Sequence, residues 1–349
     1  MHTLPKVSFR LAAAGLIALN GCGDTSTSPT GKIIRLDVNA VSQTSISGIV
    51  GAVASPAPQI RVTDSVTHEP LANVPVEFRI VDGVGRVTGG NTMTDAAGLA
   101  SPGAWTFGTT AGFCHLKVFV NGTARLSFTA TLKADVADHL VPSLDLTEAA
   151  LAGSSIDGPL VVVVDKFSNR VSGTLVSFAI VDGGGTLEMT SAKASADGLA
   201  RAGVWKIGST PGRNRAIATL GRADTTGFDV EGLDAATIKW YQVDTVRDGS
   251  RAFPPSDLGI VSARLGITPF DTCLCKKQDG YFIEEFISGS GDDSYVSTDA
   301  GRYSLDGRAL TIPYLAKPGS IDGTHLYLQR PNFDLGSLVT WVYTEISGN

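Results

Sequence analysis

Little of this chain is charged. Lys, Arg, Asp and Glu make up 18 % of 349 residues, below the ~25 % usual for soluble domains. The formal charge of −6 leaves no basic footprint, so nothing points to nucleic acid as a partner. Sustained helical periodicity is missing throughout, which argues against an α-helical core. Catalytic patterning is missing as well. The histidines (His2, His68, His115, His139 and His325) are scattered, and there is no G-x-S-x-G nucleophile turn. Gly83-Val84-Gly85 and Gly183-Gly184-Gly185 lack the third glycine of a dinucleotide loop, because Thr88 and Glu188 stand in its place. Cysteine is scarce: Cys22, Cys114, Cys273 and Cys275. Cys273 and Cys275 lie two apart on one side of a strand, where a bridge would close a strained, redox-labile ring. No paired histidines accompany them as further metal ligands. These absences argue against an enzyme, and no cofactor is implied.

What the chain does have suits β structure. It holds 40 glycines, and 43 % of its residues are hydrophobic. That is enough apolar surface to exclude disorder, and the glycines show no period of three to suggest collagen. At the N-terminus, Lys6 and Arg10 precede the apolar stretch Leu11–Leu19. A helix needs ~20 apolar residues to span a bilayer, so this stretch is too short and reads as a secretory leader, residues 1–21. Leu19-Asn20-Gly21-Cys22 resembles the lipobox of bacterial lipoproteins: apolar at −3, small at −1, Cys at +1. That resemblance implies diacylglyceryl attachment to Cys22, cleavage, and acylation of the new N-terminus. Each buried methylene adds ~0.8 kcal/mol, so several chains anchor stably. Loss of Lys6 and Arg10 takes the formal charge from −6 to −8. Residues 22–32, small and polar after Cys22, read as a flexible tether. Gly23 at +2 is not the Asp that retains such proteins at the inner membrane. The expected location is therefore the bacterial envelope, at the outer membrane or cell surface, with the periplasmic face left open.

The main body repeats itself. Val76-Glu77-Phe78-Arg79-Ile80-Val81-Asp82-Gly83 recurs as Val176-Ser177-Phe178-Ala179-Ile180-Val181-Asp182-Gly183. Gly98-Leu99-Ala100 recurs as Gly198-Leu199-Ala200, and Gly103-Ala104-Trp105 as Gly203-Val204-Trp205, all at an offset of 100. Asp64 aligns with Asp165, so one hairpin differs by a residue. Val76, Phe78 and Ile80 alternate with Glu77 and Arg79, and Leu160-Val161-Val162-Val163-Val164 is a continuous apolar run. Turn formers such as Asp82-Gly83, Asn121-Gly122 and Asp197-Gly198 separate the runs. About seven short strands in each ~100 residues describe an immunoglobulin-like sandwich. The expected domains are residues 33–133 and 134–230. The motif V-x-F-x-I-V-D-G-x-G, then D-x-x-G-L-A, then G-x-W-x-x-G resembles the group 1 bacterial immunoglobulin-like domains of the invasin and intimin type. The resemblance implies stacked stalk segments of a surface protein, sometimes with an adhesive tip. The second copy has Ser195 where the first has Asp95, and Cys114 stands alone, so Trp105 and Trp205 are read as core residues.

After a linker at 231–236, residues 237–349 change character. Strand-like runs fall at Ile238–Val246, Ile260–Ile267, Tyr281–Ile287, Gly301–Leu305, Ala309–Tyr314, His325–Gln329 and Leu338–Ile346. Tyr303, Leu305, Leu310 and Ile312 alternate about an Asp306-Gly307 turn. Successive hairpins of this kind close into a small antiparallel barrel, which removes sheet edges. Trp240-Tyr241, the G-x-Y-x-L-x-G hairpin and Leu338-Val339-Thr340-Trp341-Val342-Tyr343 resemble lipocalin-like domains of bacterial lipoproteins; a small open sandwich is the alternative. An eight-stranded barrel either fills its interior or holds one small ligand. Two readings therefore stand for its aromatics, with Trp240, Tyr241, Tyr303, Tyr327 and Trp341 foremost: core packing, or a pocket or contact face.

The whole reads as an all-β, non-enzymatic envelope protein that reaches the membrane through its lipid. Two sandwiches, each about 33 Å long at ~3.3 Å per residue, would lift the barrel roughly 70 Å for adhesion or for binding a protein or glycan. The alternatives are an accessory subunit docked on a larger membrane complex and a small-ligand carrier working through the barrel.

Overall fold

The computed structural model describes residues 35–143, 146–222, 224–258, 260–269, 277–289, 295–315, 317–322, 324–332 and 337–346. The leader, Cys22, the tether, residues 33 and 34 of the first expected domain, and Cys273 and Cys275 lie outside the described residues.

Both repeats fold as sandwiches with the same strand plan. In the first, Leu36–Ala40, Ile60–Asp64 and Leu99–Ala100 form a three-stranded sheet. Ser45–Ile49, Thr123–Lys133, Gly112–Val120, Pro75–Asp82 and Asn91–Met93 form a five-stranded sheet in that order, and Gly85–Thr88 pairs with Ala104–Phe107. The second repeats the five-stranded sheet as Ala149–Leu151, Asp224–Leu233, Gly212–Leu220, Leu175–Asp182 and Ser191–Lys193. In each, the chain starts in one sheet and crosses to the other. There Ser45–Ile49 runs parallel to Thr129–Lys133, and Ala149–Leu151 runs parallel to Glu231–Leu233.

The repeated residues carry the core. Val76 and Phe78, like Val176 and Phe178, are buried, and Trp105 and Trp205 are each fully enclosed. Leu160–Asp165 buries Val161, Val163, Val164 and Asp165. The Asp-Gly turns recur in detail. Gly83 N–H donates to Asp82 Oδ1 at 2.9 Å and Gly183 N–H to Asp182 Oδ1 at 2.8 Å. Gly183 sits at φ +79°, where a Cβ would lie 2.4 Å from the Arg213 carbonyl, so only glycine fits. Ser195 does the work of its counterpart. Asp95 Oδ1 accepts from the Ala97 and Leu99 amides at 2.9 and 2.8 Å, and Ser195 Oγ accepts from the Asp197 and Leu199 amides at 3.3 and 3.2 Å. The single-residue difference between the repeats lies in one hairpin, where Asp64 N–H reaches Glu69 O and Asp165 N–H reaches Asn169 O.

Strand Asp224–Leu233 continues past the expected start of the linker, so the connection to the third unit is the turn at 234–238. That unit is one antiparallel sheet of nine strands. Eight of them close into a barrel: Lys239–Asp248, Ile260–Ile267, Gln278–Ser288, Tyr295–Asp306, Ala309–Thr311, Gly319–Asp322, His325–Asn332 and Ser337–Ile346. Arg251–Phe253 pairs back on the first of these. Closure comes from Trp240–Arg247 against Thr340–Ile346. The run expected to reach Tyr314 ends as a strand at Thr311, because Pro313 has no N–H for a ladder. The short strand Gly319–Asp322 was not evident from the sequence.

Candidate functional site

Inside the barrel the side chains are packed. Tyr241, Val243, Leu265, Ile267, Phe282, Tyr303, Leu305, Leu326, Leu328, Trp341 and Tyr343 belong to one buried cluster. Of the aromatics singled out from the sequence, Tyr241, Tyr303 and Trp341 lie in this interior. Tyr303 Oη donates to Thr268 O at 3.0 Å, and Trp341 stacks on Phe286 with ring centroids 5.9 Å apart. Burial, reinforced by the negative charge of Glu345, pushes the Tyr241 phenol up to about 12. Trp240 and Tyr327 are on the outer wall instead. Trp240 lies under the Arg264 guanidinium at 5.0 Å, and Tyr327 stacks on His325 at 6.3 Å. The five residues therefore do not form one site.

The interior contains a buried ion pair that no motif announced. Glu284 is 5 % exposed and accepts from Arg330 Nη2. It also accepts from Tyr314 Oη at 2.5 Å and from Tyr343 Oη at 3.3 Å. Arg330 lies 5.0 Å from the Trp341 ring, and its Nε is buried without a hydrogen-bond partner. Burial raises the Tyr314 and Tyr343 phenols, and the Glu284 charge adds to it. Burial opposes the charge on Arg330, yet Tyr343, Glu284 and Tyr314 together hold the guanidinium even more firmly protonated than usual. This pair is 46 residues apart in sequence and becomes visible only when the barrel closes.

The barrel wall is incomplete on one side. On one side Tyr295–Leu305 pairs with Gln278–Ser288, but on the other only Ser304–Asp306 is paired, with Ala309–Thr311. Among the described residues, no strand pairs with that side of Tyr295–Tyr303. Tyr314, from the segment after Pro313, covers the gap and packs on Phe282 with centroids 5.6 Å apart.

Beside this gap the barrel meets the second sandwich. Ile238 and Ile283 pack with Ala149 and Leu233, flanked by Leu151, Trp240, Tyr281 and Ala300. Thr147 Oγ1 donates to Ala300 O at 2.9 Å, and Arg302 pairs with Glu148 at 3.7 Å. Between the two units is a cleft of about 690 Å³, within the ~300–1,000 Å³ typical of binding sites.

The two sandwiches are joined by hydrogen bonds. Asn169 Oδ1 accepts from the Ala111 amide, and Asn169 Nδ2 donates to Thr109 O, both at 2.8 Å. The same amide nitrogen donates to the Asp165 carboxylate, which also accepts from the Asp135 amide at 2.9 Å. Burial alone would raise the Asp165 carboxyl, but hydrogen bonds from Asn169 and the Asp135, Asn169 and Phe167 amides outweigh it and hold it below the usual range. Lys166 pairs with Asp135 at 3.0 Å. The buried Asp165 and the half-buried Asn169 thus tie both sandwiches and the chain between them.

Cys114 is a free, buried thiol whose pKa is raised by burial. Among the described residues, no group of three or more His, Cys, Asp or Glu is placed to hold a metal ion. Among the same residues, no helix is long and apolar enough to cross a membrane.

No protein-family model matches the chain, and no curated protein matches it. Among solved structures, it is similar to the D0-D1 domain of intimin, with 23 % identity, 56 % of this chain and 97 % of that one covered, and a TM-score of 0.24. It is similar to the Escherichia coli adhesin FdeC, with 15 % identity, 90 % and 97 % covered, and a TM-score of 0.42. It is also similar to a β-glucuronidase of Parabacteroides merdae, with 15 % identity, 57 % and 25 % covered, and a TM-score of 0.22.

Proposed function

We propose that this is a non-enzymatic envelope protein, anchored by lipid at Cys22, in which two sandwiches act as a spacer and the barrel is the unit presented for adhesion or binding. The observation that carries the reading is the joint at Asp165 and Asn169. A flexible chain between sandwiches would need no such staple, whereas a spacer needs its segments held in line. The filled barrel interior favours contact through the outer surface over carriage of a small ligand. The lipocalin-like character of the barrel belongs to this proposal and adds no ligand to it.

Fractionation of cells expressing the full chain tests the anchoring. Wild type is expected in detergent-soluble membranes, with a mass increase at the mature N-terminus. Cys22→Ala is expected to lose both the mass increase and the membrane association. Protease shaving of intact cells then reports display: cleavage within the barrel supports presentation outward, and full protection overturns it. A Cys22→Ala protein that stays in the membrane overturns the lipid anchor.

A further inference from the structure

We infer that the unpaired edge of strand Tyr295–Asp306 is a strand-addition site for an extended, lysine- or arginine-bearing segment of a partner protein. The inference deepens the reading above and rests on its assignment of binding to the barrel unit.

The first argument is backbone geometry. Asp306 and Ala309 close a two-residue hairpin, so the backbone groups of Asp306, Ser304 and, by the period of two, Arg302, Ala300 and Thr298 point away from Gln278–Ser288. Ala300 shows this directly. Its carbonyl accepts from Thr147 Oγ1 and its N–H donates to Asp299 Oδ1, both at 2.9 Å. These two side chains stand where a neighbouring strand's backbone would be, and a strand can exchange for them. Among the described residues this edge meets side chains but no paired strand, and a long unpaired edge is a template for pairing.

The second argument is the space beside that edge. The cleft is lined by residues from both faces of the strand pair, Phe282 and Gly301 from the inner face and Ile283 and Ala300 from the outer, so the free edge runs through it. Its opposite wall includes Ala149–Leu151, itself the edge strand of the second sandwich's five-stranded sheet. A segment entering the cleft therefore meets the unpaired edge of Tyr295–Tyr303, faced by a strand whose Ala149 and Leu151 carbonyls accept from Thr147 and Ser154, and main-chain bonds to the unpaired edge supply affinity in strand addition.

Charge selects the occupant. The lining carries the carboxylates of Glu148, Asp157, Glu285 and Asp299 against the single guanidinium of Arg302. Arg201 and Arg264 reach Asp157 and Glu285 from beyond the lining, and Arg302 reaches Glu148. The Asp157 and Glu148 pairs are mostly exposed, and exposed pairs are worth only ~0–1 kcal/mol, so an incoming cation can replace them. In the mature chain, which is acidic overall, the complementary segment is basic and extended.

The test is a fluorescence-anisotropy titration of the full mature chain with a labelled nonapeptide of alternating lysine and valine. A glutamate–valine peptide and a lysine–valine peptide N-methylated at alternate residues are the comparisons. The lysine–valine peptide is expected to bind, with each comparison at least about tenfold weaker. Thr298→Pro removes an edge-facing N–H at a position where proline is tolerated, and is expected to weaken binding at least about tenfold with an unchanged thermal melt. If that variant misfolds, the double variant Glu148→Gln with Asp157→Asn serves instead, with the preference for lysine over glutamate expected to shrink. Absence of binding, equal binding of the lysine and glutamate peptides, or full binding by the N-methylated peptide would overturn the inference. So would a concentration-dependent dimer, abolished by Thr298→Pro and indifferent to the peptide, which would assign the edge to a second copy. Because the titration uses purified protein, its outcome is independent of whether Cys22 anchors the chain.

Discussion

At the residue scale, the buried Glu284–Arg330 pair has the largest expected effect. Removing one partner of a buried pair leaves the other uncompensated, so Glu284→Leu is expected to destabilise the barrel by about 3–5 kcal/mol in urea unfolding. Combining it with Arg330→Met removes the stranded cation, and a large part of that loss is expected to return. The phenols give a second readout. Tyr241, Tyr303, Tyr314 and Tyr343 all have raised pKa values, chiefly through burial. A raised acid pKa adds stability that is complete below the unfolded value of about 10 and is lost as pH rises past it. Phenolate absorbance is therefore expected to show four of the seven tyrosines ionising late or only on unfolding, together with a fall in barrel stability above about pH 10. Ionisation of all seven in the folded protein near that pH would refute the packed interior.

At the scale of single elements, the joint between the sandwiches is held by side chains that a substitution can remove. Asn169→Ala deletes the bonds to Ala111 N, Thr109 O and the Asp165 carboxylate. At about 1 kcal/mol net for each hydrogen bond, the cost is a few kcal/mol at most, while the angle between sandwiches loses its restraint. Small-angle scattering is expected to show a broader distribution of maximum dimensions for this variant; an unchanged curve would mean that Asn169 does not set the angle. The depressed Asp165 carboxyl works in the acid direction. Its contribution is complete above the unfolded value of about 4 and is lost as pH falls through the lower folded value, and Asp165→Asn is expected to flatten that acid limb. Much of this level was legible beforehand. Periodicity and turn residues located both sandwiches, and the offset of 100 placed Trp105 and Trp205 in equivalent cores. The joint was not legible, because Asn169 has no partner nearby in sequence and its role depends on how one sandwich abuts the next. The open edge was hidden for a different reason: alternation marks a strand but does not say whether its neighbour is long enough to cover it, and Pro313 cuts that neighbour short.

Taken as a whole molecule, the chain is three β units in series, and in the anchored arrangement proposed above it would be pulled between the tether and the barrel. In each sandwich the early strand lies parallel to the last one, Ser45–Ile49 beside Thr129–Lys133 and Ala149–Leu151 beside Glu231–Leu233. Tension between tether and barrel draws such neighbours in opposite directions along their common axis. The ladder bonds lie across that direction, so they are loaded together in shear and do not peel apart one by one. Under the anchoring and outward display proposed above, a protein built this way would resist drag at the barrel end, its mechanical strength coming from the direction of two short strands.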